Sequence, residues 1–157
     1  MGMDPQAKLS IQSAQGLDTL VDTTEGDEMN IVVTGSIAYD YLMTFPGRFA
    51  EHILPEQIHR LSVSFLVDEM RKQRGGCAAN IAYNLALLGE RPQLMGTVGQ
   101  DFDAYRAWLE SHGVDTSLVR TEADLFTASF FVSTDLDGNQ IANFYTWAMA
   151  RARELSL

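Results

Sequence analysis

The stretch from Gly75 to Gly99, GGCAANIAYNLALLGERPQLMGTVG, reads as a hinge, a helix and a buried strand in immediate succession. Gly75 and Gly76 end whatever precedes them and permit a tight turn, because glycine lacks the Cβ that bars most residues from positive φ. Ala78 to Leu88 then carries no proline and spaces Ile81, Leu85 and Leu88 at helical intervals, so these three are expected to form the buried stripe. Asn80, Asn84 and Leu87 run along another line. Gly89 suits the position just past a helix end. Gln93 to Val98 is a short apolar run closing on Gly99, as a buried strand does.

Upstream, Met29-Asn30-Ile31-Val32-Val33-Thr34-Gly35 is a β-branched run that stops at a glycine, the mark of a buried first strand. Leu42 to Pro46 is expected to leave as a second strand, broken by Phe45-Pro46-Gly47. The segment onward to His59 reads as loop with a short helical turn. Leu61, Val63, Phe65 and Val67 fall on one face with Ser62, Ser64 and Asp68 on the other, which predicts a strand with one wet face that begins there and is ended by Gly75 and Gly76. Downstream, Asp101 is expected to cap a helix whose core face is Tyr105, Trp108 and Leu109 and whose stop is Gly113. Phe126–Ser133 and Gln140–Tyr145 flank Asp137-Gly138-Asn139, a hairpin signal, and Ala148–Leu155 begins a last helix. Buried strands alternating with helices make an α/β chain with a parallel sheet. The two amphipathic segments add an antiparallel flap.

The 157 residues fit one domain. The net charge of −10 opposes phosphate backbones, so nucleic acid is not an expected partner. No apolar run approaches the roughly 18 residues of a membrane span. Cys77 is the single cysteine, which excludes a disulfide framework and a cysteine metal cluster and points to a reducing, cytoplasmic setting. Residues 1–28 are polar, with scattered aliphatics, and are expected to be a flexible extension. They lack the basic start and apolar core of a signal peptide.

Two constellations can carry chemistry. In Gly35-Ser36-Ile37-Ala38-Tyr39-Asp40, at the carboxyl end of the first strand, Asp40 can accept hydrogen bonds from vicinal hydroxyls or simply cap a turn. Ser36 stands beside it in a place where turns often use serine. In Gly75-Gly76-Cys77-Ala78-Ala79-Asn80, the glycines allow close backbone approach at a helix N-terminus, where free N–H groups favour polar or anionic ligands. Asn80 can aim its amide into the same cleft or into solvent. Phe130 and Phe144, on the two hairpin strands, can stack on a flat ring or pack in a core. His52, His59 and His112 share no metal-ligand spacing and are expected at the surface, and Cys77 is expected to be a small buried filler.

The Gly75–Gly99 stretch resembles the first signature of the PfkB/ribokinase carbohydrate kinases. That pattern asks for paired glycines, an asparagine a few residues on, a glycine after the helix and another after the next strand; Gly75, Gly76, Asn80, Gly89, Gly96 and Gly99 supply them. VTGSIAYDYLMTFPGRF, LSVSFLVDEM, GVDTS and FYTWAMARARELSL resemble the adenosine-kinase-like members in particular. The likeness runs from Met29 to Leu157. It implies a doubly wound α/β sheet with a small β-sheet lid, the lid pieces falling at about 42–74 and 126–145 of an N-terminal half spanning 29–157. It further implies that Asp40 binds sugar hydroxyls with Ser36 nearby, that Gly75 and Gly76 form the lid hinge beside the ribose, that Asn80 binds a ribose hydroxyl, and that Phe130 and Phe144 flank the base.

Family members carry their catalytic aspartate in a D-T-x-G-A-G-D-like motif far toward the C-terminus and bind ATP and Mg²⁺ mostly there. No Gly-Ala-Gly-Asp occurs in this sequence. The expectation is therefore a truncated kinase without catalytic, cofactor or metal residues of its own, inactive alone. The complete protein would phosphorylate the 5′-hydroxyl of adenosine in purine salvage. The alternatives are a non-catalytic nucleoside or sugar binder, and a kinase acting on ribose or another sugar.

Overall fold

A computed structural model describes residues 30–156, so the extension expected over 1–28 lies outside the described residues. The elements in chain order are β1 (Val32–Thr34), β2 (Ala38–Thr44), β3 (Glu69–Gly75), α1 (Cys77–Leu87), β4 (Gln93–Gly99), α2 (Asp103–Ser111), β5 (Val119–Glu122), β6 (Ala128–Thr134), β7 (Gln140–Tyr145) and α3 (Trp147–Ala150). Short 3₁₀ turns at Phe49–Glu51, Pro55–Arg60 and Arg151–Glu154 complete them.

The strands form two sheets. The first is parallel, in the order β1-β4-β5, with Val33 beside Leu94 and Gly96 beside Val119. Alternation along β4 turns Leu94 and Val98 toward one face, where they join Ala78, Ala79 and Ala82 of α1 and Tyr105 and Leu109 of α2 in the core. Thr97 points the other way, and its hydroxyl donates to the Ala148 carbonyl of α3. Helices thus cover both faces of a parallel sheet, the α/β arrangement expected. None of the described helices is long and apolar enough to cross a membrane.

The buried stripe of α1 is the expected one only in part. Leu85 packs half-buried against the core, but Ile81 and Leu88 are exposed, and the helix lays its alanines on the sheet. Small side chains let the helix axis approach the strands closely, and Ile81, Leu87 and Leu88 are rotated outward. Its end is as expected: Gly89 has φ +97, and its N–H donates to the Ala86 carbonyl. Gly113, at φ +90, ends α2 in the same way. Asp101, however, caps nothing. Its carboxylate accepts the Thr127 N–H at 2.8 Å while the Thr127 hydroxyl accepts the Gly99 N–H at 3.0 Å, a clasp between the ends of β4 and β6.

The second sheet runs β3-β2-β6-β7. Its outer pairs are antiparallel but its central pair, β2 with β6, is parallel, so it is a mixed sheet and not the antiparallel flap expected. The expected strand does end at Gly75, but it begins only at Glu69, and the alternating stretch 61–68 is irregular chain. The alternation in 61–68 serves a different end. Phe65 packs 5.0 Å from Phe45 and 4.8 Å from Phe49, ring to ring, as a plug on an aromatic cluster. EMRKQRG lacks a strand-like pattern yet pairs along its whole length with β2. Ladder hydrogen bonds from a neighbour outweigh weak local propensity, and its charges suit an exposed sheet edge. β5 has only four residues, VRTE, and no apolar alternation marked it in advance.

The β6–β7 hairpin turns through Asp135–Asn139, with Gly138 at φ +81. Asp135 is buried, and its carboxylate accepts four N–H groups: from the backbones of Phe49 (3.0 Å), Asp137 (3.0 Å) and Asn139 (2.8 Å), and from the Asn139 side chain (3.1 Å). Burial pushes its pKa up, but the hydrogen bonds prevail and hold it below the ordinary 3.8. A depressed carboxylate pKa adds stability above the unfolded value that is lost as pH falls through the folded one. Asp135→Asn is therefore expected to lower Tm at neutral pH and to narrow its gap to wild type on acidification below pH 3.8, read by thermal melts across pH. A constant gap would contradict the role of the charge.

Candidate functional site

The site is built where the two sheets meet. Leaving β1, the chain passes Gly35 and Ser36 before entering β2. Leaving β3, it turns at Gly75-Gly76 into α1, and these two passages cross. Gly76 has φ +93, and a methyl group there would lie 2.5 Å from the Ser36 carbonyl oxygen and 2.7 Å from Ile37 Cα. Only glycine allows this crossing. Ser36 binds across it: its hydroxyl accepts the Cys77 N–H at 2.8 Å and its carbonyl accepts the Ala78 N–H at 3.0 Å. The first two amides of α1 are thus already engaged, and this helix end is not an open anion cradle. Cys77 beside it is exposed and not a buried filler.

Asp40 lies within β2, two residues into the second sheet, and not in a turn. Its side chain leans over Gly75, where an added methyl would sit 2.8 Å from the carboxylate carbon. The glycine makes room for the carboxylate. Among the described residues nothing donates a hydrogen bond to Asp40, and partial burial raises its pKa above the ordinary 3.8. A half-covered, unpaired carboxylate is equipped to accept hydroxyl hydrogen bonds.

The sheet register decides what stands beside it. Cross-strand partners project from the same face, and one rung reads Gln73 (β3), Asp40 (β2), Phe130 (β6) and Phe144 (β7). The two phenylalanines lie 6.2 Å apart at 80°, edge to face, so they present a corner and not two parallel walls. Phe144 is exposed and Phe130 half-covered. Asn80 stands exposed in the first turn of α1, its N–H held by the Gly76 carbonyl at 3.0 Å. The structure therefore joins Asp40, Gly75, Phe130 and Phe144 through one face of one sheet. It places Ser36, Gly76 and Asn80 at the hinge below.

Two tyrosines fasten this sheet to α2 and the loop that leads into it. Tyr105 donates to the Gly75 carbonyl (3.1 Å) and Tyr39 to the Asp101 carbonyl (3.2 Å). Burial, with Asp101 nearby, pushes the Tyr39 phenol up to about 12, so it remains a donor at physiological pH. Arg74 lies 4.7 Å over the Trp108 ring, a further tie at the hinge. The opposite face of the second sheet carries its own aromatic cleft of about 340 Å³, lined by Tyr41, Asp101, Phe126, Ser129, Phe131 and Tyr145. Sequence reading missed Gln73 as a member of the Asp40 rung, because the alternation that signals a strand lies at 61–68, ahead of the paired residues. EMRKQRG has no apolar alternation to show that Gln73 and Gly75 share one face.

A mixed sheet standing over a parallel one, joined through a hinge of paired glycines, is an α/β architecture with a second sheet at its edge, and the chain belongs to the pfkB family of carbohydrate kinases, whose pattern matches residues 30–156. Among its relatives, the nucleoside kinase of Methanothermobacter thermautotrophicus is 35% identical over 127 residues, which is 80% of this chain and 38% of that protein. The nucleoside kinase of Burkholderia thailandensis is 46% identical in its ligand-free form, with a TM-score of 0.67 over 79% of this chain and 41% of that one. The same protein in complex with inosine gives 0.59 over 73% and 36%, and with ADP-inosine 0.52, also over 73% and 36%. The nucleoside kinase of Methanocaldococcus jannaschii, described as an archaeal member of the ribokinase family, is 28% identical with a TM-score of 0.68, over 83% of this chain and 41% of that one. The chain spans about two fifths of the length of the curated relatives it matches.

Proposed function

We propose that this chain forms the acceptor-binding part of a nucleoside kinase, with the second sheet as the lid over a purine nucleoside and the 5′-hydroxyl of adenosine as the phosphoryl acceptor. The observation that carries it is the rung in which Asp40 and the Phe130–Phe144 corner share one face above the glycine hinge. Asp40 would accept from the ribose hydroxyls, Asn80 and Ser36 would line the hinge side of the sugar, and the base would stack on exposed Phe144 against the edge of Phe130. The similarity to nucleoside kinases, one of them solved with inosine, supports a nucleoside over a free sugar and makes inosine the other acceptor to test.

The donor would be ATP with Mg²⁺, in keeping with the relative solved with ADP-inosine. Among the described residues no three His, Cys, Asp or Glu converge as a metal donor set, and the leading amides of α1 are engaged by Ser36. These residues do not fit the metal or the phosphates, so what they contribute is positioning. Holding the 5′-hydroxyl in line is a large part of phosphoryl-transfer catalysis.

Phe130→Ala and Phe144→Ala should each weaken adenosine by about 0.5–1.5 kcal/mol beyond the lost contact area, and ribose hardly at all, in titration calorimetry. Equal losses for both ligands would replace the nucleoside reading with that of a sugar kinase acting on ribose. Binding without any transfer by the intact protein in the presence of ATP would leave a non-catalytic binder.

A further inference from the structure

We infer that Gln73 is a second sugar-reading residue, supplying the hydrogen-bond donor that Asp40 lacks toward the vicinal diol of a ribonucleoside; the inference rests on the nucleoside reading of this face. Gln73 is the direct cross-strand partner of Asp40, and such partners stand about 5 Å apart at Cβ. The Asp40 carboxylate leans toward β3, over Gly75. Gly75 is the next residue of β3 on that face, so no side chain stands between Gln73 and the hinge. Gln73 is exposed, and among the described residues its carboxamide has no hydrogen-bond partner. It borders a depression of about 240 Å³ with Leu42, Thr44, Arg71 and Thr134, which lies farther from the hinge and which Asp40, Phe130 and Phe144 do not line. Arg71, another donor there, gives its Nη2 to both carboxylate oxygens of Glu69 at 2.9 and 3.1 Å, and it belongs to a different rung, opposite Leu42. Gln73 is therefore the uncommitted donor of the rung.

The chemistry of a diol calls for such a partner. An ionised carboxylate only accepts, so it satisfies the two hydroxyl protons and leaves the oxygen lone pairs unmet. Asn80 can donate only from the hinge side, so closing the sugar under a lid without a donor on the Asp40 side would cost the desolvation of the lone pairs there. The Gln73 amide N–H groups can meet one of them while the amide oxygen turns away from Asp40.

The test is titration calorimetry of the protein with adenosine, 2′-deoxyadenosine and 3′-deoxyadenosine. Gln73→Ala should weaken adenosine about three- to ten-fold, the equivalent of one neutral hydrogen bond. It should leave one of the deoxynucleosides unchanged, so that the preference for that hydroxyl shrinks by the same factor. Gln73→Glu sets a second carboxylate beside Asp40, which raises one pKa of the pair. Its binding should improve on acidification, where wild-type binding falls, because a protonated carboxyl restores a donor. If Gln73→Ala does not fold, Gln73→Met decides the same question, since it keeps the length without the amide. Unchanged preferences in a variant of a nucleoside-binding wild type would overturn the inference and leave the pocket standing. A wild type that binds none of the three would remove both.

Discussion

Replacing Gly76 by alanine is expected to cost at least about 3 kcal/mol of folding stability, the largest effect of any single methyl group at the hinge. Holding a non-glycine residue at φ +93 accounts for about 1–3 kcal/mol of that. The remainder comes from overlap with Ser36 O, Ile37 Cα and Ala38 N, all at 2.8 Å or less. These are backbone atoms of the crossing strand and cannot swing aside as a flexible side chain would. Against a typical total of 5–15 kcal/mol the loss is severe. Gly138→Ala provides the control: it also requires positive φ, at +81, but nothing lies within 4 Å of the added methyl. Urea unfolding followed by circular dichroism should show Gly138→Ala losing only the conformational part. Equal losses at the two positions would mean that the chains do not cross closely at Gly76.

The second large effect is on binding. Asp40→Ala is expected to reduce nucleoside affinity about 100-fold, since hydrogen bonds to a charged acceptor are worth about 1.5–3 kcal/mol. The fold should tolerate the change, because partial burial disfavours the ionised carboxylate and no described residue compensates it. The pH dependence has a defined sign. A carboxylate whose folded pKa is raised contributes stability that is present below the unfolded pKa and lost as pH rises through the folded one. Nucleoside binding runs the other way, since only the ionised form accepts from both hydroxyls, and it should weaken as pH falls through a value above 3.8. Asp40→Asn should abolish both dependences. Calorimetric affinities that match wild type in Asp40→Asn, with the same pH profile, would exclude Asp40 from the site.

Much of this was legible before any coordinates. The glycine pair, the helix behind it, Gly89 at its end and the strand closing on Gly99 follow from local chemistry: which residues tolerate positive φ, which continue a helix, and which fill a buried strand. The hairpin was legible for the same reason, because Asp137-Gly138 is a turn whatever surrounds it. The family likeness rests on these same glycines, since each marks a place where backbone passes too close for a side chain.

What local chemistry could not decide is where pairing or packing over long separations prevails. Leu61–Val67 alternates like a strand and is none, because its aromatic residue is drawn into the Phe45–Phe49 cluster. Glu69–Gly75 shows no such pattern and is one, because β2 offers it a complete ladder. The alanine face of α1 was chosen by the closeness of the sheet over the larger aliphatics. The parallel pairing of β2 with β6 joins residues about ninety positions apart, and no periodicity within either strand encodes it. The sequence by itself determined the glycine turn, the helix that follows it and an acid, Asp40, a few residues past the first strand. The tertiary structure decided that Asp40 shares a rung with Gln73, Phe130 and Phe144, because register is set by hydrogen bonds between strands distant in the chain, and only register puts four side chains on one face.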